Sequence, residues 1–254
     1  MPTAGEIYYF SSKNGDKRPA LILIHGAGGM HLHWPYNLRR LNDFQVFAPD
    51  LPGHGKSEGL GKQSVERYAD DLAIWMEHIG IQKAVIAGHS MGGAIAQTMA
   101  TRYAEKVSAL ILIATGARLA VNPSLLEKLS IPSSTPSAID LILKWSWSPG
   151  TKSKLIERAR EQMLGMRSAV IYGDYLACSK FDLTGKLGKI SVPTQVIVGD
   201  SDKMTPLDLN KQLTSGIKNS QLTVIPNGGH MVMLEKPDPV ANAAFNFLQS
   251  LSLA

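Results

Sequence analysis

Six short apolar runs punctuate the chain: Ala20 to His25, Phe44 to Ala48, Lys83 to Ala87, Ala109 to Ile113, Thr194 to Val198 and Gln221 to Ile225. Most are rich in β-branched residues and are followed by Gly, Pro or polar residues, which is a strand signature. Several are apolar at nearly every position, which predicts strands covered on both faces in a parallel sheet. Between them, helical spacing runs over Val65 to Ile79, Met91 to Tyr103, Pro206 to Ile217 and Val240 to Leu251. In the last of these, Val240, Ala243, Ala244, Phe247 and Leu248 fall on one apolar stripe. The alternation predicts the α/β class: a mostly parallel, doubly wound sheet whose ligand sites lie beyond the carboxyl ends of its strands.

The rhythm breaks between Gly116 and Lys189. No clear strand occurs there, prolines stand at Pro123, Pro132, Pro136 and Pro149, and helical patches such as Lys152 to Leu164 replace the alternation. This predicts a core of residues 1–115 and 190–254 with a helical insertion of residues 116–189 between late strands. No internal repeat or flexible linker interrupts either part.

Composition adds limits. Of 254 residues, 44% are hydrophobic and 19% charged, which is ordinary for a folded globular chain. The net charge of +5 resides wholly in residues 116–189, where 11 Lys and Arg face 6 Asp and Glu; the rest carries 15 of each sign. These charges are dispersed, which argues against a nucleic-acid partner. The first residues carry no basic and apolar leader, and no apolar run approaches the roughly 18 residues that cross a bilayer, so a cytoplasmic protein without a membrane span is expected. The lone Cys178 fits a reducing compartment and a small buried hydrophobe. His31 and His33 have no cysteine or neighbouring carboxylate to complete a metal site and are expected as exposed loop residues, with no metal and no cofactor.

Gly88-His-Ser90-Met-Gly92 follows one apolar run directly and opens a helical segment. As a bare pentapeptide Gly-x-Ser-x-Gly is common. In a strand–turn–helix context it is the turn that exposes a nucleophilic serine. A serine hydroxyl needs a base and a third group to orient that base. Two later strand ends supply both, with Asp200 and Asp202 in Gly199-Asp-Ser-Asp202 and His230 in Pro226-Asn-Gly-Gly-His230. The residues alone leave Asp200 and Asp202 both open as the orienting acid.

With His25-Gly-Ala-Gly-Gly29 and Asp50-Leu-Pro-Gly-His-Gly-Lys-Ser57, these five motifs in register resemble the α/β-hydrolase superfamily, in particular its serine esterase and monoglyceride-lipase-like branch. The resemblance spans nearly the whole chain. It implies Ser90 as nucleophile, His230 as base and Asp202 as the acid. It also implies an oxyanion hole made by the backbone N–H groups of Ala27 and Met91, with the Met91 side chain free to double as pocket wall. By the same resemblance residues 116–189 form a lid, with Trp145, Trp147, Met163 and Met166 as candidates for the substrate pocket, while His25, His54 and His89 hold loops. The implied activity is hydrolysis of a small-molecule carboxylic ester. Relatives use the same triad on thioesters, lactones and carbon–carbon bonds, and a receptor role on a hydrolase scaffold is the alternative outside enzymology.

Overall fold

The computed structural model of the chain describes residues 2–12 and 18–251. In chain order the elements are β1 (Thr3–Ala4), β2 (Ile7–Ser11), β3 (Ala20–Ile24), α1 (Tyr36–Arg39), β4 (Gln45–Pro49), α2 (Val65–His78), β5 (Ala84–His89), α3 (Met91–Arg102) and β6 (Val107–Ile113). Then come α4 (Pro123–Ser130), α5 (Thr135–Ser146), α6 (Ser153–Leu164) and α7 (Ser168–Lys180). β7 (Thr194–Gly199), α8 (Leu207–Gly216), β8 (Ser220–Ile225), α9 (Val232–Glu235) and α10 (Pro237–Gln249) complete the order.

The sheet runs β1-β2-β4-β3-β5-β6-β7-β8, antiparallel in its first two pairings and parallel in the rest. Residues of β3, β5 and β7 are buried at every position, as strands covered by helices on both faces require. Alternate side chains feed two cores. Leu21, Leu23, Val85 and Ile111 point to one, with Trp34 and α10; Ile22, Ile24, Ile86 and Leu110 point to the other, with α2 and α3. β1 and β2 are absent from the six apolar runs. β2, Ile-Tyr-Tyr-Phe-Ser, is a half-buried strand between the two-residue β1 and β4, joined to β4 by pairings such as Phe10 with Ala48.

All the expected helices form. Ser64 caps α2 by accepting from the Arg67 N–H, and two of the four prolines that broke the pattern stand in first turns of α-helices, Pro123 in α4 and Pro136 in α5. Four helices, α4 to α7, lie between β6 and β7. The ends of this stretch meet, with Arg118 bridged to Asp182 and the Leu183 N–H donated to the Ala117 carbonyl at 2.8 Å. Its inner side continues the first core through Leu125, Ile139, Ile142 and Trp147.

The parallel register brings the carboxyl ends of β3, β5, β6, β7 and β8 to one edge, where Ile24 pairs with Gly88, His89 with Ile113 and Gly199 with Ile225. The loops that follow these strands carry the sequence motifs. Among the described residues no helix is long and apolar enough to cross a membrane.

Candidate active site

Ser90 sits between β5 and α3 with φ 54° and ψ −117°, a backbone state that L-residues rarely adopt. Its neighbours make the turn feasible. A Cβ at Gly88 would collide with the carbonyl of Gly92, and one at Gly92 with the carbonyl of Ile24, so both positions demand glycine. The Ser90 N–H is donated to the Ile113 carbonyl at 3.0 Å and the Thr115 hydroxyl to the Ser90 carbonyl at 2.8 Å, so both backbone groups are engaged.

The Ser90 Oγ is 3.0 Å from Nε2 of His230, and Nδ1 of His230 is 3.0 Å from Oδ2 of Asp202. With Nδ1–H directed at the carboxylate, Nε2 is left to accept the serine proton. Asp202 is buried, which alone would raise its carboxyl. The facing His230 and the N–H and hydroxyl of Thr205 outweigh burial and hold it below its ordinary value. Both Met204 and Thr205 give backbone N–H groups to Oδ1, at 2.8 and 2.9 Å. Asp200 is turned away: it is exposed and accepts from the Ser201 hydroxyl and the Asn227 N–H.

Two further histidines hold this edge together. His89 Nε2 donates to the carbonyl of His230 at 2.9 Å, and burial, with His230 beside it, lowers His89 to about 3. His25 donates Nδ1–H to the Gly26 carbonyl and accepts the Leu51 N–H at Nε2. His31 and His33 are buried, not exposed as their loop position suggested. His31 donates its ring and backbone N–H groups to Asp50, while His33 bonds Gln162 at 3.3 Å and is lowered to about 4 by burial. Their partners lie far along the chain, beyond the reach of local reading.

Ser90 and His230 open into a cavity of about 460 Å³. Gly26, Ala27 and Gly28 form part of its wall beside them, Leu125 of α4, Ile142, Leu143 and Trp145 of α5 and Met163 of α6 form more of it, and Trp147, just past α5, adds to it. Cys178 is buried at the same wall, where desolvation pushes its thiol up and away from reactivity. Met166 departs from expectation. It lies past the end of α6 and lines a separate cavity with Met30, Gly53 and Arg167. The Met91 side chain departs too: it is wholly buried in the core between the sheet and α3, and is no part of the cavity wall.

Three residues that sequence reading passed over sit at this site. Thr205 donates its hydroxyl to Asp202 at 2.7 Å, an arrangement hinted at only by its place three residues on. Asp174 of α7 is wholly buried and accepts the Gly28 N–H at 2.8 Å; its signal was a lone charge in the otherwise apolar Val170-Ile-Tyr-Gly-Asp-Tyr-Leu. Glu235 of α9 accepts the Gly229 N–H beside His230 at 3.1 Å, and also the Ser148 N–H and the Ser148 and Thr151 hydroxyls of the α5–α6 connection.

A family model described as alpha/beta hydrolase fold matches residues 19–237. A solved thermophilic esterase is 35% identical, with a TM-score of 0.82 over 98% of this chain and 100% of its own. An esterase from Thermogutta terrifontis is 28% identical, with a TM-score of 0.86 over 96% of this chain and 93% of its own. A 2-hydroxy-6-oxo-6-phenylhexa-2,4-dienoate hydrolase of Burkholderia cepacia is 27% identical over 90% of this chain and 87% of its own length.

Proposed function

The chain belongs to the α/β-hydrolase-fold family, and from that premise we propose that it is a serine hydrolase that cleaves carboxylic esters through an acyl-enzyme. The observation that carries the reading is the unbroken line of hydrogen bonds from Ser90 through His230 to Asp202, opening into an apolar cavity. Ser90 attacks the ester carbonyl as His230 takes its proton, and Asp202 keeps Nδ1–H pointed away from the serine and stabilises the imidazolium. His230 then returns the proton to the departing alcohol. Water repeats the sequence on the acyl-enzyme and releases the acid. Backbone N–H groups of Ala27 and Met91 receive the negative charge of each tetrahedral intermediate.

Residues 116–189 act as the lid, set on a core of residues 1–115 and 190–254. Its Leu143, Trp145, Trp147 and Met163 supply the apolar wall against which a bulky acyl group packs. The 35% identical esterase supports ester chemistry. The likeness to a dienoate hydrolase supports a second reading, cleavage of a carbon–carbon bond beside a ketone by the same residues.

The test is hydrolysis of p-nitrophenyl esters of increasing acyl length by the wild type and by Ser90→Ala. Turnover that the variant loses by roughly a thousandfold supports the nucleophile. If the wild type leaves every ester intact yet cleaves a vinylogous diketone, the second reading replaces the first.

A further inference from the structure

We propose that Asp174 is a positioning residue for the oxyanion loop: its carboxylate, brought from the insertion, fixes the turn Gly26–Gly29 so that the Ala27 N–H faces the oxygen developing on Ser90's substrate. The proposal rests on the acyl-transfer reading above.

The loop is a four-residue turn closed by the Gly29 N–H on the Gly26 carbonyl at 3.0 Å, and its third residue, Gly28, takes φ +64°. One end is held by His25, which donates to the Gly26 carbonyl at 2.8 Å. The other is held by Asp174, whose Oδ2 accepts the Gly28 N–H at 2.8 Å across 146 positions of sequence. That bond occupies the Gly28 N–H. Among Gly26, Ala27 and Gly28, which line the cavity, Gly28 is thereby withdrawn from substrate, and the Ala27 N–H is the one the proposal assigns to it.

Asp174 is itself firmly held. Its Oδ1 accepts the Tyr68 hydroxyl at 2.6 Å and its Oδ2 also accepts from His54 Nε2 at 2.7 Å. His54 Nδ1 faces the Pro52 carbonyl at 3.1 Å, so both ring nitrogens face acceptors and both carry protons. The result is a fully buried imidazolium–carboxylate pair, with side chains 0% exposed on both partners. Buried pairs of this kind rarely add stability over apolar packing of the same volume. Here the pair supplies a fixed acceptor under the glycine turn, which an apolar side chain does not. Met163 closes the turn from the cavity side, its Cε 3.1 Å from where a Cβ on Gly28 would stand.

The experiment compares wild type with Asp174→Asn and with a backbone-ester variant in which glycolic acid replaces Gly28, deleting only the N–H. Steady-state rates on the best p-nitrophenyl ester are measured beside inhibition by a trifluoromethyl ketone, which forms a tetrahedral adduct, and by the product acid. The expected result is a loss of about a hundredfold in kcat and in ketone affinity, with KM and acid affinity within about threefold. If folded Asp174→Asn and the glycolate variant both keep kcat and ketone affinity within about threefold, the proposal is overturned. Should Asp174→Asn fail to fold, the glycolate variant decides alone. A wild type that turns over no ester overturns the acyl-transfer reading instead, a result these variants do not mimic.

Discussion

Thr205 gives its hydroxyl hydrogen to Oδ2 of Asp202 at 2.7 Å, the same oxygen that stands 3.0 Å from Nδ1 of His230. The hydroxyl helps keep Asp202 ionised in a buried place. Thr205→Val keeps the shape and removes the donor, and kcat/KM is expected to fall by roughly tenfold. Because Asp202 sits below its ordinary value partly through Thr205, removing the donor moves it up, and the acid limb of the pH–rate profile shifts to higher pH. An unmoved acid limb would show that Thr205 does not tune the carboxylate.

The two candidate acids separate cleanly by substitution. Asp202→Asn is expected to lose about a thousandfold to ten-thousandfold in kcat, as an imidazole left in the wrong tautomer does. Asp200→Asn keeps an acceptor for the Asn227 N–H on the surface and stays within about threefold. Equal losses in both variants, measured on one ester, would contradict the assignment.

Leu143 faces the cavity from α5. Leu143→Ala widens the acyl pocket, and the ratio of kcat/KM for long over short acyl esters is expected to rise by about tenfold. Thermal unfolding should register a loss near the lower end of the range for buried leucine, about 2 kcal/mol, because the site already borders empty space. A ratio that stays flat would place the acyl chain elsewhere.

His54 supplies a stability signature in pH. Burial would lower it, but the charge and hydrogen bond of Asp174 outweigh burial and raise it above its ordinary 6.5. A raised folded-state value contributes stability that is fully present below the unfolded value and is lost as pH rises through the folded one. The wild-type Tm is therefore expected to decline as pH climbs above 6.5 toward the raised value, while His54→Gln, neutral throughout, lacks that component. Parallel Tm curves for the two proteins would refute it.

Local signals carried most of what the sequence disclosed. The elbow at Ser90 was legible because glycines at 88 and 92, a preceding apolar run and a following helix all fall within about four turns of chain. His230 and the aspartates were legible because each follows a strand that local periodicity identifies. What depended on distant partners was not. Asp200 and Asp202 differ only in which way one turn points them, toward Asn227 or toward His230. His31 and His33 were misjudged because Asp50 and Gln162, which make their burial tolerable, come from elsewhere in the chain. Met163 and Met166 stand three residues apart, but α6 ends at Leu164, so the helical spacing that would align them stops between them.

Glu235 and Asp174 give the inserted helices a second consequence, one for inheritance and engineering. Glu235, from the core, is satisfied by Ser148 and Thr151 of the insertion, and Asp174, from the insertion, satisfies His54, Tyr68 and Gly28 of the core. Grafting a relative's cap onto this scaffold would strand a carboxylate on one side and three donors on the other, unless these residues travelled with it. On the proposed division, helices α4 to α7 and the rest of the chain are therefore not interchangeable cassettes: replacing one calls for matching changes at Glu235, His54 and Tyr68 in the other.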